Sequence, residues 1–371
     1  MKKIKFSFNS EVEKIIKKFS LNNDWNKNIK QDIDKYKNKK FNKKSFNRKD
    51  LKKLDFVTID GEDAKDFDDA VYCEKHESDW KLYVAIADVA HYVENNSNID
   101  KEARKRGTSV YFPGFVIPML PEILSNNLCS LRSGEDKFTV MAEIIIGKDG
   151  KIKSYKFYNA LISSSARLTY TQVDNFLNNK KSITDKNVIK NINNLFSLYK
   201  ILKKSREKRH AVNFDTQEFS FLISKNNEIT GIKNNIRLES QKLIEECMIA
   251  ANVASSLFIK KNKSNSLYRV HDEPTLEKIE DASISLKNLG YSLNKTKIIC
   301  TEEINKIIEL SKKRLDDHLV TSIILRAMAR AEYTPKNIGH FGLSVKSYNH
   351  FTSPIRRYPD LIVHRIIKNI I

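Results

Sequence analysis

The most constraining feature of the sequence is a crowd of carboxylates between two apolar segments. The segment TIDGEDAKDFDDA places four aspartates within ten residues, together with two further acids: Asp60, Asp66, Asp68, Asp69, Glu62 and Asp63. Carboxylates packed this closely beside a strand end repel one another, so the arrangement is costly unless a divalent cation neutralises it. Because oxygen ligands without His or Cys favour a hard ion, the segment predicts a site for Mg²⁺, with Mn²⁺ as a substitute.

Two other interpretations of the acidic segment are weaker. An acidic surface loop is the ordinary interpretation of a charge run, but this run lies between apolar strand candidates and opposes the formal charge of +20 on the chain. An EF-hand is disfavoured because its spacing and its terminal Glu are absent. Two magnesium ions about 4 Å apart can activate a water and stabilise a leaving oxygen, so the aspartates point to phosphodiester hydrolysis.

The apolar pattern predicts an α+β fold, with antiparallel sheet in the first half and helices in the second. FVTID, AVYCEKH and KLYVAIADVA are enriched in β-branched and aromatic residues, and the Asp149-Gly150 pair predicts a hairpin between TVMAEIIIG and KIKSYKFYNALI. After Tyr170 the apolar residues recur at helical spacing. The last segment, PDLIVHRIIKNII, has Pro359 and Asp360 where helices start.

The basic charge favours a polyanionic partner, since each Lys or Arg that meets a phosphate releases counterions. The alternative is a solvated lysine surface of compositional origin, because Lys greatly outnumbers Arg. Residues 1–50 carry 16 Lys/Arg against 6 Asp/Glu. We expect them to form a flexible, Lys/Asn-rich arm or linker, with a short amphipathic helix around residues 11–19. Residues 51–371 would then form the folded domain.

Composition also excludes several classes of protein. No stretch approaches the roughly 18 apolar residues of a membrane span, and the start lacks the features of a signal peptide. Four cysteines occur without any CxxC pair, namely Cys73, Cys129, Cys247 and Cys300. Neither a disulfide framework nor a zinc site is indicated. We expect a soluble, cytoplasmic monomer with free thiols, without a membrane or disulfide partner.

Basic and aromatic residues outside the acidic segment are candidates for RNA contacts. Arg356 and Arg357 precede the last helix start, where guanidinium groups and backbone N–H groups suit a phosphate, although such pairs are commonly ordinary surface residues. Tyr111, Tyr170 and Phe214 are candidates to stack on the bases of a single strand. Ordinary core packing is the competing interpretation for each of these aromatic residues.

Several blocks of the sequence resemble the catalytic RNB domain of the ribonuclease II/ribonuclease R family, and ribonuclease R more than ribonuclease II. They are FVTIDGEDAKDFDDAVYCEK, VAIADVAHYV, RGTSVYFPGFVIPMLPEILSNNLCSL, YKFYNALISSSARLTYTQV, KLIEECMIAAN and HFGLSVKSYNHFTSPIRRYPDLIVHR. The blocks occur in family order from about residue 51 to the last residue. The resemblance implies a mixed α+β domain whose deep channel admits single-stranded RNA and ends at a buried magnesium site.

The resemblance also implies roles for individual residues. The metal-binding residues would be Asp60, Asp66, Asp68 and Asp69, and the catalytic residues would be Asp68, Asp69 and Arg356, with Asp68 most directly tied to cleavage and Arg356 on the scissile phosphate. Tyr111 and Phe214 would clamp the stack of terminal nucleotides, and Tyr170 would lie near the 3′ end. The implied activity is processive 3′-to-5′ hydrolysis of single-stranded RNA to nucleoside 5′-monophosphates, in RNA turnover.

The sequence departs from the family pattern at both ends. Family members carry OB-fold domains before and after the catalytic domain, and that domain continues past the PDLIVHR helix; this sequence has no counterpart of either. We therefore expect either a reduced enzyme or a truncated product. If the chain is truncated, its last helix would expose an apolar face, which predicts instability or a partner protein that covers it: Leu361, Ile362, Ile366 and Ile367. The alternatives to an active exoribonuclease are a catalytically impaired RNA-binding remnant and, more distantly, a DNA phosphodiesterase.

Overall fold

The computed structural model describes residues 8–37, 47–180, 182–214, 218–224, 229–293 and 300–371. Its strands are β1 (Lys49–Asp50), β2 (Phe56–Asp60), β3 (Asp69–His76), β4 (Asp79–Ala87), β5 (Val110–Phe112), β6 (Phe115–Ile117), β7 (Asp136–Ile146), β8 (Ile152–Thr169), β9 (Glu218–Ile223), β10 (Ile229–Asn235), β11 (Tyr268–Val270) and β12 (Glu332–Thr334). Its α-helices are α1 (Phe8–Lys18), α2 (Lys27–Lys37), α3 (Val89–Tyr92), α4 (Asn98–Arg106), α5 (Tyr170–Leu177), α6 (Lys186–Lys208), α7 (Glu239–Lys261), α8 (Leu276–Asn288), α9 (Thr301–Arg314), α10 (Asp317–Ala327) and α11 (Tyr358–Ile370). The described residues also include a π-helical segment, Ile123–Leu128, and a 3₁₀ turn, Phe341–Leu343.

The main sheet closes on itself through its longest strand. Strands β2, β3, β4, β7 and β8 pair antiparallel in that order, and β8 returns to pair with β2 in parallel. Closure is feasible because β8 has 18 residues, so that its first part pairs with β7 and its last part pairs with β2. The predicted mixed α+β class is confirmed, and the parallel pairing is a feature that the sequence pattern did not predict.

The hairpin predicted at Asp149-Gly150 joins β7 to β8. Gly150 has a positive φ of 78°, a conformation that side chains other than glycine rarely adopt. A Cβ atom on Gly150 would lie 2.5 Å from the Cβ of Ser205 on α6, so the turn packs directly against that helix. Glycine is therefore required here both by the turn and by the close approach of α6.

In the ranges that the structure describes, three apolar clusters form the core. The first lies between the sheet and the helices α5, α6 and α7, and the second lies between the sheet, α3, α4 and the π-helical segment. The third is smaller and joins α8, α9 and α10. All four cysteines are free, and no helix in the described ranges has the length and apolar character that crossing a membrane requires. The first two clusters hold the sheet between helical layers.

The expectation of a flexible arm over the first 50 residues is wrong for part of that region. Helix α2 packs against α4 and the π-helical segment, and its Ile29 is fully buried. Trp25 also packs on the second cluster, and the Arg106 guanidinium lies 3.8 Å from the centre of its ring. Trp25, Ile29 and Ile33 recur at the four-residue spacing of a helix face. The many lysines around them made this apolar pattern easy to overlook. Residues 38–46 of the Lys/Asn-rich run lie outside the described residues.

The last helix does not present the apolar face that the sequence analysis expected. Leu361 and Ile367 are fully buried, because α11 packs against α3, α7 and β8 of the same chain. Ile362 and Ile366 are half-buried against the two main clusters. The prediction of an exposed face is therefore wrong for Leu361 and Ile367, and the structure gives no reason to place a partner protein on them.

Candidate active site

The acidic segment forms the loop between β2, which ends at Asp60, and β3, which begins at Asp69. Side chains from elsewhere in the chain, including Arg167 and Ser130, hold the backbone of this loop. Arg167 of β8 donates hydrogen bonds to the carbonyl oxygens of Gly61 and Glu62, at 2.9 and 2.6 Å. The Ser130 hydroxyl donates to the Lys65 carbonyl and accepts from the Phe67 N–H, at 2.8 and 3.0 Å. The carboxylates are therefore carried by a fixed backbone.

Asp68 joins the acidic loop to the segment that precedes α11. Its side chain is only 4% exposed, its Oδ1 accepts from the Ile355 N–H at 2.9 Å, and its Oδ2 lies 3.4 Å from Nε of Arg356. Burial raises the pKa of Asp68 well above its usual range, although the Arg356 charge and the Ile355 N–H act to lower it. The two segments that the sequence analysis singled out thus meet at one place.

The charges of the neighbouring aspartates raise one another's pKa values. Burial, followed by the charge of Asp60, raises the pKa of Asp69 to about 7, against the opposing charge of Arg356. Burial also raises the pKa of Asp60, while the Gly61 N–H donates to its Oδ1 at 2.7 Å and acts in the opposite direction. The negative charge of Asp66 further raises the pKa of both Asp60 and Asp68. The four aspartates therefore interact as one group, called the acidic unit below. The nearby arginine charge is too small to offset their burial and mutual repulsion.

This unit fits a magnesium ion in its chemistry. All of its candidate ligand atoms are carboxylate oxygens, and a cation would offset the burial and mutual repulsion that raise the pKa values of Asp60, Asp68 and Asp69. Among the described residues, no three His, Cys, Asp or Glu side chains already converge closely enough to hold a metal ion. Magnesium does not require such a cage, since it commonly keeps several waters and takes one or two carboxylates together with substrate phosphates.

Two tyrosines predicted to contact RNA lie beside the aspartates. The Tyr111 hydroxyl donates to Oδ2 of Asp66 at 3.1 Å, while 53% of the residue remains exposed. Tyr170 begins α5, and burial together with the charges of Asp60 and Asp69 raises the pKa of its phenol. The structure therefore brings Tyr111 and Tyr170 to the rim of the acidic unit.

The other two RNA-binding candidates are engaged in different contacts. Arg357 makes a bidentate pair with the fully buried Asp360, with Nε–Oδ2 and Nη2–Oδ1 distances of 2.9 and 2.7 Å. Phe214 packs against the third core cluster, away from the elements that carry the aspartates. Their roles in RNA binding remain predictions. The spacing of three residues between Arg357 and Asp360 was the signal for an ion pair that the sequence analysis missed.

Known proteins share the sequence of this chain over most of its length. A model of the RNB domain family matches residues 48–371. Ribonuclease R of Escherichia coli is 46% identical over 315 residues, which cover 84% of this chain and 39% of that protein. Ribonuclease R of Buchnera aphidicola subsp. Schizaphis graminum is 44% identical over 352 residues, which cover 94% of this chain and 48% of that protein.

A solved structure of Mycoplasma genitalium RNase R in complex with ribose methylated single-stranded RNA superposes with a TM-score of 0.92 at 33% identity. The match covers 97% of this chain and 57% of that one. The chain thus spans about two fifths to three fifths of the length of these relatives. Both the sequence blocks and the fold are shared over nearly the whole chain, and the protein belongs to the RNB domain family.

Proposed function

We propose that this chain is a magnesium-dependent exoribonuclease that hydrolyses single-stranded RNA from its 3′ end and releases nucleoside 5′-monophosphates. The observation that carries the proposal is the contact of Asp68 with Ile355 and Arg356, because it joins a surplus of carboxylates to a phosphate-binding group. The relatives named ribonuclease R, and the RNase R structure bound to single-stranded RNA, support the same substrate class.

The metal would be held by four aspartates: Asp60, Asp66, Asp68 and Asp69. When bound, magnesium supplies an activated water and stabilises the charge that develops on the leaving 3′-oxygen. Burial makes the ionised carboxylates of Asp68 and Asp69 unfavourable when no cation is near them. A bound magnesium ion would supply that positive charge. The loop backbone, held by Arg167, keeps these carboxylates in place.

Arg356 is suited to position the scissile phosphate. Its Nε faces Asp68, its Nη2 donates to Oγ of Ser353 at 3.1 Å, and 46% of its side chain is exposed. Within the described part of the chain, Nη1 makes no hydrogen bond, so it can donate to a substrate oxygen. The guanidinium is thus fixed by two contacts and retains a donor for phosphate.

The tyrosines would hold the end of the strand without reading its sequence. Tyr111 exposes its ring while its hydroxyl is fixed on Asp66, which leaves a flat surface for a base. Stacking of this kind accepts any base, and contacts to the ribose 2′-hydroxyl favour RNA over DNA. The expected result is exonucleolytic shortening of single strands of any sequence.

The test is an incubation of the purified chain with 5′-labelled single-stranded RNA and magnesium. A ladder that shrinks to a short limit product, together with chromatographic identification of nucleoside 5′-monophosphates, would support the proposal. Asp68→Asn should abolish the ladder, whereas Asp149→Asn, a change in the exposed β7–β8 turn, should leave it unchanged. Binding without cleavage would indicate an impaired RNA-binding remnant, and equal digestion of DNA would indicate a different phosphodiesterase.

A further inference from the structure

A small ladder beside the proposed active site gathers one arginine and several aromatic rings. Strand β11 pairs with β12, so that Arg269 lies opposite Tyr333, and the Arg269 N–H donates to the Tyr348 carbonyl at 2.9 Å. The Arg269 guanidinium lies 4.6 Å from the centre of the Tyr333 ring. The Tyr333 hydroxyl in turn lies 2.6 Å from Nδ1 of His350. One arginine, one tyrosine and one histidine thus form a connected, partly exposed surface.

The charge of Arg269 has no counter-ion in the described part of the chain. Among the residues that the structure describes, no carboxylate lies within ion-pair distance of its guanidinium. Arg314 offers the contrast, because it also stacks on a tyrosine, Tyr291, but has Asp316 at 3.7 Å. Arg269 is half-buried, and a charge withdrawn from water is more favourable when an anion is close to it.

Two histidines near Arg269 present ring nitrogens to a ligand, and the tautomer of one of them, His340, is fixed by a backbone N–H. The Leu343 N–H donates to Nδ1 of His340 at 3.2 Å, so the proton of the neutral ring resides on Nε2. For His350, Nε2 carries the proton in the tautomer in which the Tyr333 hydroxyl donates to Nδ1. Burial lowers the pKa of both rings, to about 4 for His340 and about 3 for His350, so they are neutral at pH 7. Neither Nε2 has an acceptor within the described residues.

The location of these donors connects them to the proposed substrate path. His350 lies six residues before Arg356 in the chain, in the same segment that reaches Asp68. The charge of Arg357 acts on both His350 and Tyr333, which places the pair on the Arg357 side of the acidic unit. A strand held at Arg356 could therefore extend over this surface.

We propose that Arg269, His340 and His350 bind a phosphate of the RNA backbone at a position distinct from the scissile phosphate on Arg356. The guanidinium supplies the positive charge, the Nε2–H of His340 donates to a phosphate oxygen, and His350 adds a second donor in the tautomer in which Tyr333 donates to it. The contact reads no base, in keeping with an enzyme that accepts any sequence. This inference rests on the proposed function, because it requires that the chain bind single-stranded RNA.

The experiment measures binding of the full chain to a labelled single-stranded RNA in EDTA, which prevents cleavage, over a series of KCl concentrations. Each phosphate contact with a single strand contributes about 0.7 to the slope of log K against log salt. Arg269→Met should therefore reduce the slope by about 0.7. Arg314→Met removes an arginine that stacks on tyrosine but has its own carboxylate, and it should leave the slope unchanged.

A second variant covers the case in which Arg269→Met fails to fold. Arg269→Lys keeps the charge but loses the planar fork, so it should retain the parent slope while its dissociation constant rises several-fold. An unchanged dissociation constant in Arg269→Lys, or an unchanged slope in folded Arg269→Met, overturns the inference. If Arg269→Met alters inhibition by AMP and not the RNA slope, the site serves a mononucleotide and the inference also fails. A parent chain that does not bind RNA refutes the proposed function itself.

Discussion

The Asp68→Asn substitution should separate the stability of the chain from its activity. Burial raises the pKa of Asp68 more than Arg356 and the Ile355 N–H lower it. An ionised carboxylate with a raised pKa is less favourable in the folded chain than in the unfolded chain, so its charge costs stability at neutral pH. Asparagine removes the charge and keeps an oxygen that can accept from the Ile355 N–H, now 2.9 Å from Oδ1.

The stabilising contact that Asp68→Asn removes is the one with Arg356. The new amide would place an N–H against Nε of Arg356 at a separation of 3.4 Å, where two donors cannot bond. Hydrogen bonds to charged groups contribute about 1.5–3 kcal/mol, and this one is long, with its arginine 46% exposed, so its loss lies at the lower end. Removing the unfavourable buried charge of Asp68 offsets the free energy lost with this hydrogen bond. We expect the free energy of unfolding to stay within about 1 kcal/mol of the parent value, while cleavage is lost.

Asp360→Asn is the matched comparison, because Asp360 is also a buried aspartate that faces an arginine. Asp360 accepts two hydrogen bonds from Arg357 and one from the Ser353 N–H, at 2.9, 2.7 and 2.8 Å. Removing one partner of such a buried pair typically costs about 3–5 kcal/mol. Urea unfolding in EDTA, with linear extrapolation, measures both variants. If Asp68→Asn loses as much stability as Asp360→Asn, Asp68 is a structural residue and the reasoning is refuted.

Two further predictions concern RNA clamping and acid stability. Tyr111→Ala and Phe214→Ala should each weaken RNA binding by about 1–3 kcal/mol and change the length of the limit product in the cleavage ladder, and an unchanged product would contradict the stacking roles. Asp88 is fully buried, and the charges of Lys368 and Arg48 outweigh burial and lower its pKa. A lowered pKa stabilises the fold above about pH 4, and this stabilisation is lost as the pH falls further. Asp88→Asn should remove that part of the acid sensitivity in urea unfolding measured from pH 3 to pH 7.

The sequence predicted the chemistry of the site better than its packing. The acidic segment was recognisable because its charges are adjacent in the chain, and the segment before α11 was recognisable by its arginines. The contact between Asp68 and Arg356 was not predictable from local pattern, since it joins residues 288 positions apart. That contact depends on how β2, β3 and α11 pack, and only the family resemblance anticipated it.

The misjudged elements share one physical cause, which is that burial is decided by tertiary contacts. Ile29 has lysines near it in the sequence, yet it is buried because α2 packs against α4. Leu361 was expected to be exposed on the basis of the family pattern, but α3, α7 and β8 cover α11 within this chain. Arg269 carried no local signal, because its lack of a carboxylate partner among the described residues is a property of the folded β11–β12 pair.

Asp69 should make the metal-free chain sensitive to pH near neutrality. Burial and the charge of Asp60 raise its pKa to about 7, whereas an unfolded aspartate titrates near about 3.9. Between these values the folded chain binds more protons than the unfolded chain does. The contribution of Asp69 to stability is therefore fully present below about pH 4, falls as the pH rises, and is lost above about pH 7.

Magnesium should reverse this trend, because the ion binds carboxylates only in their deprotonated form. The stabilisation by a ligand that binds the folded state is RT ln(1 + [L]/Kd), so a proton that competes with the ion reduces it. We expect added magnesium to raise the urea midpoint more at pH 8 than at pH 6, and Asp69→Asn to lose this difference while Asp149→Asn retains it. Equal stabilisation of the parent chain at both pH values would mean that Asp69 is not a ligand, since no proton would then have been displaced.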